Sequence, residues 1–145
     1  MAYLFIFGAL ALAIAPLVHF MPSKRQRRLA RLREYAAVHG LFVEFRNLPS
    51  RGLDSRPDQV LYYGRRLKAS RGAPRSRRSW QRGAAGWEPL GHREGPPDAA
   101  TQMPAQVLAI GIDEASCGAY WREDGEEAEV AAIVAAVDAW QREKD

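Results

Sequence analysis

Residues 2–21 read AYLFIFGALALAIAPLVHFM, twenty positions without one Asp, Glu, Lys or Arg. Directly after them, residues 23–33 (SKRQRRLARLR) carry six Lys/Arg. At about 1.5 Å per residue an unbroken helix over the apolar run is roughly 30 Å long, the thickness of a bilayer's hydrocarbon core. A buried helix of a globular domain normally keeps a polar face, and this run has none. A cleaved signal peptide carries its positive charge before the apolar run and a small-x-small site after it. Here only Met1 precedes the run, and Met21-Pro22-Ser23-Lys24-Arg25 follows it. The charge order is reversed, so residues 2–21 are read as an uncleaved transmembrane anchor. Lys and Arg are retained on the cytoplasmic side, so Lys24, Arg25, Arg27, Arg28 and Arg31 are the residues expected to set topology and touch lipid. The expected arrangement is a single-pass bacterial inner-membrane protein with its N-terminus outside and residues 22–145 in the cytoplasm.

Within the anchor, Gly8, Ala11 and Ala15 fall on one helical face. Small residues let helices approach closely, which makes this face a candidate for docking another membrane protein, although Ala is also simply common in such helices. Beyond the anchor the charge is divided. Residues 23–82 hold 17 Lys/Arg against four acids, and residues 83–145 hold four Lys/Arg against 13 acids. A chain so divided is expected to hold its basic half near anionic headgroups, worth about 1 kcal/mol per residue close to the surface, and its acidic half away from them. Cys117 is the single cysteine, which excludes an intrachain disulfide and any multi-cysteine metal site and suits a reducing compartment.

The rest reads as α+β: a transmembrane helix, a juxtamembrane helix, a small, mainly antiparallel sheet and a C-terminal amphipathic helix. The domains are the anchor over 2–21, a basic juxtamembrane helix over 22–40 and an α+β domain over 41–145. Ser23 and Gln26 form an S-x-x-Q capping box, Leu29, Leu32 and Ala36 line one face, and Gly40 terminates the helix. Residues 41–46 (LFVEFR) read as a strand with Leu41, Val43 and Phe45 on one side. Residues 47–59 are a turn-rich loop, 60–67 a second strand and 69–78 a mobile basic loop. Two short strands over 79–82 and 86–90 flank a turn, and 91–104 is irregular with Asp98 capping a short helical turn. Residues 107–112 and 117–122 make a hairpin. Asp124 is expected to cap a last helix, in which Val130, Ile133, Val134, Val137 and Trp140 follow the i, i+3, i+4, i+7 spacing of a buried face.

No Walker loop, GxGxxG, HExxH or histidine pair occurs, and nothing calls for a cofactor or a metal. Cys117 with His92 and Asp113 is the one nucleophile arrangement to weigh. Its alternation with Ala119 and Trp121 along a strand reads better as a small buried side chain. Asp113, Glu114, Glu123 and Asp124 offer oxygens suited to a hard cation, but turns and helix starts use acids for ordinary reasons. Arg75, Arg77, Arg78 and Arg82, with Trp80 and Tyr62-Tyr63 nearby, form a candidate basic binding loop. Nucleic acid is the less economical target, because anionic lipid is already close, and a plain solvated loop is a simpler reading than either.

Phe20-x-Pro22-Ser23-x-Arg25-Gln26-Arg27-Arg28, Leu32-Arg33-x-x-Ala36 and Gly40-Leu41-x-Val43 resemble a set of uncharacterised proteobacterial single-pass inner-membrane proteins of similar length. That resemblance implies no activity. The anchor ending Phe20-Met21-Pro22 before Lys24-Arg25 is also similar to YajC, the small accessory subunit of the Sec translocon, and that likeness implies the same N-out layout. The glycine-rich G-D-x-V-x-T-x-G-G stretch of that family has no counterpart downstream. The expected function is that of a non-catalytic accessory or scaffolding protein. A peripheral module sensing anionic lipid and a membrane-tethered enzyme are the alternatives.

Overall fold

The computed structural model describes residues 1–50 and 59–145, and the chain divides into two compact units, Met1–Ala30 and Arg31–Asp145. In the first, helix α1 (Ala2–His19) buries none of its residues and is long and apolar enough to cross a membrane. Helix α2 (Lys24–Val38) opens with the expected capping box. The Gln26 N–H donates to Ser23 Oγ at 3.2 Å, and the Ser23 N–H donates to Gln26 Oε1 at 2.8 Å. Those two donors are among the four that a helix start leaves without an intrahelical acceptor.

The second unit is built on a six-stranded antiparallel sheet. Its strands are β1 (Phe42–Asn47), β2 (Gln59–Arg66), β3 (Arg78–Gly83), β4 (Gly86–Pro89), β5 (Ala109–Ile112) and β6 (Ser116–Trp121), in the spatial order β1-β2-β6-β5-β3-β4. On one face Leu61, Tyr63, Cys117, Ala119, Trp121, Ile110 and Trp80 join Leu32 and Ala36 of α2 and the apolar stripe of α3 (Glu127–Lys144) in one core. That stripe is the expected Val130, Ile133, Val134, Val137 and Trp140, with Ala136 added. Helix α2 stops where Gly40 turns the chain at φ +85°, and the Leu41 N–H returns to Ala36 O at 2.9 Å.

No helix among the described residues covers the opposite face, yet Val60, Tyr62, Ala109 and Tyr120 are buried there. Three glycines explain how. Gly64 of β2, Gly118 of β6 and Gly111 of β5 stand side by side in register, forming a trough across three strands. The rings of Tyr62 and Tyr120 lie down into it, 4.8 Å apart between centroids, and the Tyr62 hydroxyl reaches Ser116 Oγ at 2.9 Å. A Cβ at Gly118 would stand 2.4 Å from Tyr63 O and 2.6 Å from Gly64 Cα, and one at Gly64 would stand 2.3 Å from the Tyr62 ring. Glycine in a strand is unfavourable unless a close approach requires it, and here a neighbouring backbone and two rings do. Arg46 closes over the trough with its guanidinium 3.8 Å from the Tyr62 ring centroid.

Phe45 shares the side of Val43 as expected, but it is 61% exposed, with β1 at the edge of the described sheet. Two expectations need correction. The cap of α3 is Glu126, in a reciprocal box with Glu129, and not Asp124. A longer side chain reaches the N3 amide equally well and moves the helix start two residues on. Asp98 is the first residue of a 3-10 turn (Asp98–Gln102) that follows Pro97, and its side chain makes no cap. The turn-rich loop over 47–59 lies mostly outside the described residues.

All four tryptophans belong to the second unit, so their fluorescence follows the unfolding of that unit alone. Gly118→Ala in the detergent-solubilised chain is expected to lose about 1–3 kcal/mol in denaturant unfolding, since the backbone it meets cannot turn aside. Gly95→Ala, whose Cβ meets no atom within 4 Å, is the matched control and is expected to stay within about 0.5 kcal/mol of the parent. Equal stability of the two variants would refute the trough.

Candidate functional site

The basic loop is tied to the fold at its centre. Glu114, in the turn between β5 and β6, accepts the Ser70 N–H (3.1 Å) and Ser70 O–H (2.9 Å) at Oε1 and the Arg75 N–H at Oε2. These donors, the Arg75 amide first, hold the Glu114 carboxyl below the ordinary carboxylate range. The Arg75 guanidinium then donates to Lys68 O (2.8 Å), Glu114 O (3.2 Å) and Lys144 O (3.4 Å), stitching the loop to the hairpin turn and the end of α3. Arg78 is ion-paired with Glu94. Arg82 donates to Val107 O (2.8 Å) and Pro104 O (2.9 Å) and lies 4.4 Å from the Trp87 ring, and burial lowers its pKa. Of the four arginines read as a binding loop, three cross-link the domain, and Arg77 is exposed. The loop expected to be mobile is pinned.

Lys24, Arg25, Arg27 and Arg28 belong to the first unit, and Arg31 is exposed on the second. Gly8, Ala11 and Ala15 are exposed on α1, and a Cβ added at Gly8 meets nothing within 4 Å.

The nucleophile arrangement does not assemble. Cys117 is completely buried, and burial pushes its thiol up to about 12, away from the thiolate. His92 donates its Nε2–H to Ser79 O (2.9 Å) and stands edge-on to Trp80, while Asp113 caps its own turn by accepting the Ala115 and Ser116 amides at 2.8 Å. No group of three or more His, Cys, Asp or Glu suited to a metal exists among the described residues.

Glu123 has a role that its sequence position does not suggest. It is 2% exposed, sits at φ +57° just past β6, and is the one described non-glycine residue in that region. Its carboxylate accepts Arg33 Nε at 2.9 Å and Arg33 Nη2 at 2.6 Å, a bidentate pair, and the Tyr63 hydroxyl at 2.6 Å. Burial first, then the bond to Glu123, pushes the Tyr63 pKa far upward, so Tyr63 stays a neutral phenol at neutral pH and donates its O–H to the carboxylate. Helix α2, strand β2 and the exit of β6 thereby meet at one carboxylate. No local motif announces it; the single hint is that Arg33 adjoins the Leu32–Ala36 stripe.

A cleft of about 220 Å³ opens between β3, the segment around Glu94–Pro97 and the last turns of α3. Trp80, Ile112 and Trp140 form its buried floor, and Arg75, Arg78, Glu94, Glu143 and Lys144 surround it. Trp80 and Trp140 also belong to the core, 6.0 Å apart in an edge-to-face pair.

Two predictions follow from the glutamates. Removing Arg33's charge (Arg33→Met) strips a buried carboxylate of its cation, whereas Glu123→Gln leaves a guanidinium that is 38% exposed and can turn to water. Arg33→Met is therefore expected to destabilise by about 3–5 kcal/mol and Glu123→Gln by about 1–3 kcal/mol in denaturant unfolding, in that order. For Glu114 the folded pKa is depressed, so its contribution is present above the ordinary carboxylate range and disappears as pH falls through the folded value. Hydrogen-exchange protection of the Ser70 and Arg75 amides should stay level through neutral and mildly acid pH and collapse only in strong acid. Glu114→Gln should lose it at every pH.

No family model, curated protein or solved structure matches this chain.

Proposed function

We propose that this protein is a non-catalytic accessory or scaffolding component of the bacterial inner membrane, held by one N-out span, with its α+β domain displayed in the cytoplasm. The observation that carries the reading is α1: an 18-residue helix of apolar residues, none of them buried, followed within a few positions by Lys24, Arg25, Arg27 and Arg28. The candidate partners are membrane lipids and another membrane protein docked on Gly8, Ala11 and Ala15. A complex such as the translocon is one candidate host, supported by the likeness of the anchor to YajC. The lipid-sensing alternative loses support from the internal contacts of Arg75, Arg78 and Arg82. The enzyme alternative loses support from the burial of Cys117 and the separate partners of His92 and Asp113.

Two fusions test the topology. A phosphatase reporter at the C-terminus, active only when exported, should be silent, and a fluorescent protein there should be bright. Replacing Lys24, Arg25, Arg27 and Arg28 by Gln should raise the exported fraction. An active phosphatase on the parent chain would overturn the orientation. A mild-detergent pull-down, repeated with an unrelated span, then tests the accessory role: a stoichiometric partner lost with the exchanged span places the docking on α1. One kept by both versions places it on the domain, and none in either refutes a stable accessory subunit.

A further inference from the structure

We infer that the outer edge of β1 is a dimerisation surface, to which a second copy of this chain adds its own β1 antiparallel, Phe45 opposite Phe45. The two edges of the sheet differ in kind. Strand β4 is short, begins at Gly86 with φ +120° and ends in Pro89, features that discourage a further strand. Strand β1 (FVEFRN) holds neither glycine nor proline and runs against β2 from Phe42 to Asn47 in unbroken register, without a bulge. Among the described residues no strand pairs with its outer side, so its outward N–H and C=O groups form a template for another strand. Beyond residue 21, Val38 and Phe45 are the described large apolar side chains left exposed. Phe45 borders a groove of about 480 Å³ whose walls include Arg33, Ala37, Leu41, Val43 and Leu61. An apolar side chain arriving at this edge has a place to be buried.

The charges on β1 select both the occupant and the register. A two-fold antiparallel pair must centre on one residue, because directly opposed side chains point to the same face. Centred on Phe45, the pair overlaps residues 43–47 of both copies and sets each Glu44 opposite the partner's Arg46. Centred on Glu44 it would oppose two carboxylates, and centred on Arg46 two guanidiniums, both unfavourable. Centred on Val43 it would overlap only residues 42–44. Within one copy Glu44 already holds the Arg46 guanidinium, which also lies over the Tyr62 ring. The Phe45 register therefore joins two such ion pairs with alternating sign on one face. On the other face the two Phe45 rings meet beside the groove. The edge is complementary to itself, as an interface between identical copies requires. The inference concerns only the second unit and stands apart from the membrane reading.

The test uses the full chain in detergent micelles. In the proposed pair Val43 faces the partner's Asn47 with Cα atoms about 5 Å apart, whereas each lies roughly 13 Å from its own equivalent. Copies carrying Val43→Cys are mixed with copies carrying Asn47→Cys and oxidised; Cys117 is buried and offers no competing thiol. The mixture is expected to form a disulfide-linked dimer at least about tenfold faster than either variant alone, whose thiols lie too far apart to bridge. Glu44→Arg, at a side chain 46% exposed, leaves the core untouched, which tryptophan fluorescence checks. Carried by both copies, it sets arginine against arginine and should slow the cross-link at least about tenfold. No cross-link in the mixture, equal rates in the single-variant samples, or a rate unchanged by Glu44→Arg would each overturn the pairing. The first of these would leave the β1 edge to a different protein or to lipid.

Discussion

The arrangement of the domain turns on the carboxylate of Glu123. It gathers a guanidinium from α2 and a phenol from β2 at the point where the chain leaves β6 for α3. The backbone there adopts φ +57°, a conformation that costs a residue with a side chain about 1–2 kcal/mol. Two charge-assisted bonds from Arg33 and one from Tyr63 offset that cost only while the site stays dry. The dryness comes from the rings around it: Tyr63 is fully buried and meets Trp121 edge-on at 5.3 Å. The polar junction and the aromatic core therefore support each other. Each is unfavourable without the other, since a buried charge needs its partners and the partners need to be held in place.

Glu114 repeats the principle at the surface. A single side chain from a hairpin turn organises a segment that has no regular structure of its own. Together the two glutamates explain what becomes of the charge division along the sequence. Arg33 pairs with Glu123, Arg46 with Asp113, Arg65 with Asp138 and Arg78 with Glu94, and each pair joins a residue of the basic half to one of the acidic half. Part of the asymmetry along the sequence is thus folded against itself within the domain. Most of these pairs are partly exposed and individually worth little, so their value lies in selecting which segments lie together.

The elements that could be read from the sequence are those whose signal is local. Helix α3 shows its buried stripe at 3.6-residue spacing, the α2 cap is spelled by Ser23 and Gln26, and β5 and β6 are joined by a short polar turn. What could not be read is set by pairing across long separations. Nothing near residue 81 indicates that β3 pairs with β5 and not with β2, and nothing near Gly64 indicates that Gly118 and Gly111 will stand beside it. The misplaced cap at Asp124 has a similar origin: composition favours Asp, but the chain is still recovering from the strained Glu123 and begins its helix at Glu127. Phe45 alternates correctly with Val43, yet period alone does not reveal that its strand is at an edge.

Under the proposed topology, the partners that each guanidinium already holds decide where lipid affinity resides. Near an anionic surface each cation contributes about 1 kcal/mol, so Lys24, Arg25, Arg27 and Arg31 supply several kcal/mol in sequence positions adjoining the span. A chain already held by a hydrophobic helix gains little residence from more. Arg75, Arg78 and Arg82 would have to abandon carbonyls and carboxylates inside the domain to reach headgroups, giving up contacts of comparable worth. Selection for lipid binding would have left those arginines unpaired, as Arg77 is left exposed. Their use as internal cross-links argues that the loop is there to shape the domain, including the cleft whose edge Arg75 and Arg78 form.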